Sequence, residues 1–215
     1  MKQTEAQRLK EYHRIAKHYD QRLALYSHET IAEALKIANL TGTESIVDTC
    51  CGSGELLQLI ALQQHKGTMI GLDISEAMLN VAHYRLKTYP NIVLKGGDVR
   101  EMQLPSGYFH LAFNTNAFHY LDDPDTIIQE IYRILRPHGR LILVDLAANS
   151  SITRFWSWLR NLTRLAYYRI YRIEEMADKL KKNGFVILRR KIWRVNLFWS
   201  VMLLEAQRPA PSRKL

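Results

Sequence analysis

The residues best suited to chemistry in this chain of 215 fall into four short clusters. They are Asp48-Thr49-Cys50-Cys51-Gly52-Ser53-Gly54, the single acid Asp73, Gly96-Gly97-Asp98, and Asn114-Thr115-Asn116-Ala117-Phe118-His119. Glycines such as Gly52 and Gly54 let a ligand approach the backbone with no Cβ in the way. Asp73 stands nineteen residues beyond Gly54, placed to accept hydrogen bonds from ribose hydroxyls. Capping the following helix is its alternative role, although Ser75 is better placed for that. Asp98 reads as a second ligand contact or as a turn residue. His119 is the candidate general base, since an ordinary imidazole titrates near neutrality, and its alternative is structural hydrogen bonding.

These clusters exclude several chemistries. The G-x-G-x-x-G fingerprint of a nicotinamide dinucleotide site fails, because Leu57 occupies the third glycine position and Cys50 precedes the pair. No G-x-x-x-x-G-K-[ST] phosphate loop is present. A nucleoside ligand without a pyrophosphate fits better. The two cysteines, Cys50 and Cys51, are adjacent, which suits neither a zinc site nor a disulfide framework, and the scattered histidines offer no metal constellation.

The elements that must position these clusters follow from periodicity. Thr4 to Asp20 and His28 to Asn39 have helical spacing. Ser45–Thr49, Thr68–Leu72, Ile92–Lys95, Phe109–Phe113 and Leu141–Val144 read as strands, the last after a Pro137-His138-Gly139 break. Helices are expected at Glu55 to about Gln64, Ser75–Tyr89, Asp125–Leu135 and Ile173–Lys182. This alternation predicts a doubly wound α/β fold with a mostly parallel sheet covered on both faces. Two late strands, Phe185–Arg190 and Leu197–Ala206, are joined too closely for a helical crossover and are expected to pair antiparallel, giving seven strands. Each chemical cluster then lies just past the carboxyl end of a strand, where open α/β sheets bind ligands.

Hydrophobic residues at 47% and charged residues at 24% describe a globular chain. The reading is one domain over residues 1–208, with 1–41 as N-terminal cap helices, 149–172 as a lid and 209–215 as a tail. The first twenty residues hold no apolar core of a secretory signal, and no apolar run spans a bilayer, so a cytoplasmic protein is expected. The net charge of +9 is uneven: residues 149–173 carry +5, residues 189–215 carry +6, and the rest −2. The first of these segments interleaves arginines with Phe155, Trp156, Trp158, Tyr167, Tyr168 and Tyr171, which suits core packing, an apolar or aromatic acceptor, or peripheral contact with an anionic membrane.

Four motifs taken together resemble those of class I S-adenosylmethionine-dependent methyltransferases. They are Ile46-Val47-Asp48-Thr49-Cys50-Cys51-Gly52-Ser53-Gly54, Gly71-Leu72-Asp73-Ile74-Ser75-Glu76-Ala77-Met78-Leu79, Gly97-Asp98, and Ile131 to Leu141 around Arg136-Pro137-His138-Gly139. The Cys-Cys-Gly form is similar to the branch containing the ubiquinone and menaquinone C-methyltransferases. The resemblance covers about Tyr12 to Arg208 and implies a Rossmann-like fold with S-adenosylmethionine as cofactor. It implies that the loop from Asp48 through Cys50, Gly52 and Gly54 passes beneath the methionine part, and that Asp73 binds the ribose. It further implies Ile74 and Met78 beside the adenine, Asp98 and Val99 at the adenine edge, Asn114 near the sulfonium, and Tyr19 closing over the cofactor. Two departures are Cys50 for the usual first glycine, a form this branch shares, and His138 for a glycine in the turn before the fifth strand. The segment from Ala147 to Tyr171 is also short for a quinone C-methyltransferase.

The implied activity is methyl transfer to a hydrophobic small molecule: a quinone precursor, lipid or specialised metabolite. A nucleic-acid methyltransferase or binder is the alternative raised by the basic C-terminal third, but no Asn-Pro-Pro-aromatic or Asp-Pro-Pro-aromatic tetrapeptide follows the fourth strand. A noncatalytic subunit that binds the cofactor for stability is the other.

Overall fold

Ile46, Val47 and Asp48 form strand β1 (Ile46–Asp48), buried along its whole length because neighbours flank it on both sides. In the computed structural model, which describes residues 19–149, 169–195 and 199–210 and only the backbone over 19–25, β1 pairs in parallel with β2 (Met69–Asp73) and β4 (Phe109–Thr115). Beyond β2 lies β3 (Ile92–Gly96), and beyond β4 lies β5 (Leu135–Leu146), all parallel. The last strand, β7 (Ser200–Gln207), runs antiparallel between β5 and β6 (Val186–Arg194). The spatial order is therefore β3-β2-β1-β4-β5-β7-β6. The seven strands and the antiparallel pairing at the chain's end match the sequence-based expectation.

Strand alternation fills two cores. Val47, Ala112, Leu141, Leu143, Met202 and Leu204 face one side, beneath α4 (Pro124–Ile134) and α5 (Ile173–Lys182). Ile46, Phe113, Ile142, Val144, Val201 and Leu203 face the other, beneath α1 (Tyr19–Ala38), α2 (Glu55–Leu62) and α3 (Glu76–Leu86). The four consecutive apolar residues Leu141–Val144 serve both faces, which is what a strand buried on two sides requires.

Two differences from the sequence reading have local causes. Residues 21 to 27, which separated the two expected N-terminal helices, belong to a single helix running from Tyr19 to Ala38. Thr30 supports it by donating its hydroxyl back to Tyr26 and Ser27 carbonyls at 2.9 Å. The expected break at Pro137-His138-Gly139 is an irregularity inside β5, where pairing shifts between Phe109–Leu135 and Leu111–Arg140. His138 takes φ +64° there, a left-handed conformation that glycine adopts more readily. Most of the expected lid, residues 150–168, and the helix before Tyr19 lie outside the described residues, as do tail residues 211–215.

Part of the C-terminal basic surplus is internal bracing. Arg189 lies 3.5 Å from Glu205, Lys191 reaches Glu33 at 2.5 Å, and Arg208 donates to the carbonyls of Tyr132, Arg133 and Leu135 at the end of α4.

Candidate functional site

Between β1 and β4 the sheet changes winding direction, so the loops after these strands splay apart and leave a crevice at their carboxyl ends. The β1 loop is built by backbone and glycine. Thr49 N and Oγ1 both donate to the Phe113 carbonyl, at 3.0 and 2.9 Å, and Cys51 N donates to Leu72 O at 2.9 Å, fastening the loop to β4 and β2. Gly52 and Gly54 take φ of +50° and +79°, and Gly54 begins α2. A Cβ on Gly54 would lie 2.8 Å from Leu86 Cδ1 and 3.2 Å from Ala82 Cβ, so both conformation and packing call for glycine. Arg85 of α3 holds the loop from outside, donating to Ser53 O and Oγ at 2.9 and 2.8 Å.

Asp73, half-buried at the end of β2, ties this loop to the next helix. Its Oδ2 accepts from Gly52 N and its Oδ1 from Ser75 N, both at 2.8 Å. Ser75 itself caps α3, its hydroxyl accepting from Met78 N at 3.4 Å, so Asp73 is not the cap. The Ile74 N–H also bonds this carboxylate, which leaves it acceptor capacity for a ligand hydroxyl. Burial raises its pKa against the pull of the backbone bonds.

Asp48 and Asn114 line the floor. Asp48 is buried, and desolvation lifts its carboxyl to about 7, with the Cys50 N–H opposing and the nearby Asp73 charge adding to the rise. Asn114 donates Nδ2 to Thr49 Oγ1 at 2.9 Å and to Cys50 Sγ at 3.6 Å. Asp48 Oδ1 and Asn114 Oδ1 are both buried acceptors without a hydrogen-bond partner. Such atoms are costly, and they fit a ligand that brings donors. The Cys50 thiol is pushed well up by burial and by Asp73, Asp48 and Asp98, so it stays protonated. Cys51 is a buried packing residue, its thiol raised by burial and the same aspartates Asp48 and Asp73.

Asp98 follows β3, and its carboxylate is held by Arg100, whose Nε donates to both oxygens at 3.0 and 2.9 Å and whose Nη2 makes a shorter contact. That guanidinium keeps the carboxyl below the usual range. Val99 is buried beside it, Met78 is sealed at 2% exposure, and Ile74 stands half open at 47%. Tyr19 is the first residue of α1, and its side chain lies outside the described residues.

His119 lies in a short 3-10 turn, Phe118–Tyr120, just past β4. It is buried, its backbone N–H donates to Asp145 Oδ2 at 2.7 Å, and its Nδ1 makes a short contact with Asp145 Oδ1. The Arg169 N–H donates to its carbonyl at 3.0 Å.

Residues 47–143, which span this crevice from β1 into β5, match the family model described as a methyltransferase domain. Among curated relatives, demethylmenaquinone methyltransferase of Lactobacillus johnsonii is 29% identical over 140 residues, 61% of this chain and 57% of the relative. The 2-phytyl-1,4-naphtoquinone methyltransferase of Synechococcus elongatus is 30% identical over 107 residues, 48% of this chain and 46% of the relative. The chain thus spans about half the length of these relatives. A Mesorhizobium loti S-adenosylmethionine-dependent methyltransferase superposes with a TM-score of 0.67 at 19% identity, covering 82% of this chain and 96% of that one, a likeness of fold.

Within the matched stretch, hydrogen bonds join Asp73 to the loop at Gly52 and Asn114 to the loop at Thr49, while Asp48 bonds to the Cys50 N–H. The sequence reading missed Asp145, Arg85, Arg100 and the tie from α1, in which Asn116 donates to Thr30 Oγ1 at 2.8 Å. Asp145 had a visible signal: like Asp48 and Asp73, it is an acid closing a strand's apolar run. Among the described residues no helix is long and apolar enough to cross a membrane.

Proposed function

We propose that the protein transfers a methyl group from S-adenosylmethionine to an apolar small molecule of the aromatic quinol class. The observation that carries this reading is the acidic glycine loop, in which Asp73 Oδ2 accepts from Gly52 N at 2.8 Å and the buried Asp48 closes the strand that leads into the loop. Clustered carboxylates repel a pyrophosphate and attract a sulfonium or ammonium. The two unpartnered acceptors, Asp48 Oδ1 and Asn114 Oδ1, suit the same donor-bearing cation.

When bound, the cofactor supplies a methyl carbon already activated by its sulfonium, so the chain needs no covalent nucleophile. Its residues bind and orient. Asp73 accepts the ribose hydroxyls, and Gly52 and Gly54 let the methionine part lie on the backbone between Asp48, Cys50 and Asn114. Ile74 and Met78 flank the adenine, Asp98 and Val99 meet its edge, and Tyr19 covers it. A protonated Cys50 does not compete for the methyl group. His119 accepts the acceptor's proton. Relatives named for demethylmenaquinone and phytylnaphthoquinone support a quinol acceptor, and a lipid-dissolved acceptor accords with peripheral contact at an anionic membrane.

The test is incubation with methyl-labelled S-adenosylmethionine and a short-chain demethylmenaquinol, followed by solvent partition. Label in the organic phase is expected, together with at least tenfold weaker cofactor binding by calorimetry for Asp73→Ala. Wild-type protein that neither binds the cofactor nor labels the quinol overturns the reading.

A further inference from the structure

Thr30 is buried in α1, and its one hydroxyl proton is committed within its own helix, to the Tyr26 and Ser27 carbonyls at 2.9 Å. A hydroxyl whose proton is spent can only accept from a third group. Asn116, just past β4, therefore offers it the amide NH2, and Nδ2 donates to Thr30 Oγ1 at 2.8 Å. That bond decides which way round the amide sits and leaves its carbonyl oxygen, Oδ1, unused. Oδ1 is buried and has no hydrogen-bond partner. Asn114 is set by the same device: Thr49 Oγ1 donates to the Phe113 carbonyl and accepts from Asn114 Nδ2, which again leaves Oδ1 buried and unpartnered. The two amides differ in what they are tied to. Asn114 is bound to the glycine loop and Asn116 to α1.

The backbone holds Asn116 in place. Its φ is +56°, a left-handed conformation that asparagine tolerates better than most residues, and its N–H donates to Val144 O of β5 at 2.8 Å. Thr115, Asn116 and Ala117 are each only partly covered, so this turn borders open space at the carboxyl end of the sheet, although the oxygen itself is shut from water. A buried acceptor left unsatisfied is costly, and a donor carried by a bound molecule removes that cost.

We infer that Asn116 is a specificity residue for the methyl acceptor, its Oδ1 receiving a hydrogen bond from a hydroxyl of the quinol. The inference rests on the function proposed above for the class of molecule and adds the atom that selects it. Asn116 lies two residues after Asn114 and three before His119, between the groups assigned to the cofactor and to the acceptor's proton. The hydroxyl donates to Oδ1 and keeps its proton, and a quinol has a second hydroxyl for His119. A site built to receive a hydroxyl rejects the analogue that lacks it, since the oxygen then stays unpaired.

The test is anaerobic calorimetric titration of a short-chain demethylmenaquinol, and of the naphthalene that has the same side chain and no hydroxyls, into the full chain loaded with S-adenosylhomocysteine. Binding is then read without turnover. Wild type should bind the quinol about tenfold or more tightly than the naphthalene. Asn116→Gly keeps the left-handed turn and removes the amide, so that preference should fall by about fivefold or more while S-adenosylmethionine affinity stays within about twofold. Thr30→Val breaks the tie to α1 and leaves Oδ1 on the chain, so its preference should stay within about threefold of wild type. An equal loss in both variants makes the tie alone responsible and overturns the inference. So does an unchanged preference in Asn116→Gly, or wild type that binds the quinol no better than the naphthalene. Each of these results leaves methyl transfer standing, whereas wild type that does not bind S-adenosylmethionine removes that reading and this inference with it.

Discussion

At the scale of single residues, the site depends on acids placed where ionisation is costly. Asp48 holds its proton to about pH 7 in the folded chain, chiefly because burial penalises the charge, whereas an unfolded aspartate releases it near pH 4, about the model-peptide value. Between those values the folded state binds a proton that the unfolded state does not. Stability from this group is therefore present at low pH and is lost as pH rises through about 7. Asp48→Asn, neutral throughout, should lie above wild type in stability at pH 8 and lose less on going from pH 5 to pH 8, as read by urea unfolding at the two values. Parallel behaviour of the two proteins would refute the assignment. The placement of Asp48 and Asp73 was legible in the sequence because both close short apolar runs. Asp98 was legible as a position but not as a partner of Arg100, since nothing in a sequence says that a residue two places on will fold back.

At the scale of elements, strand centres were readable and irregularities were not. Leu141–Val144 announced β5, yet the strand begins at Leu135, because backbone pairing continues through Arg136-Pro137-His138-Gly139 with a shift in register. Gly139 is needed there, as a Cβ would lie 2.8 Å from Arg136 O and 2.9 Å from Phe109 O. His138 is not needed for its side chain in the same way. Its left-handed φ of +64° sits in a turn held by its N–H to Arg208 O at 2.8 Å. Relief of that conformation should make His138→Gly more stable by about 1 kcal/mol, visible as a melting temperature higher by about 2–4 °C. A lower melting temperature would mean that the imidazole makes compensating contacts. The merging of two expected helices into α1 has a comparable cause: Ser27 donates to Glu55 Oε2 at 3.0 Å, which anchors the helix across residues whose own periodicity was weak.

At the scale of the whole molecule, alternation of strand and helix was enough to predict a doubly wound sheet and its antiparallel close. The crevice also followed, because it belongs to the topology rather than to any one side chain. Contacts across the sheet were invisible: His119 and Asp145 are 26 residues apart and meet only because β4 and β5 are neighbours. The last strand carries a separate consequence. β7 is buried along almost its whole length and sits inside the sheet, with β5 on one side and β6 on the other. During synthesis, everything through β6 leaves the ribosome before the strand that joins it to the rest, and until then the outer edge of β5 is a bare apolar template open to other chains. A chain ended after Arg194 should accumulate as aggregate when expressed, whereas the same truncated chain supplied with a separate segment spanning residues 195–210 should recover soluble protein. Completion of this fold is thus timed by the arrival of its final strand.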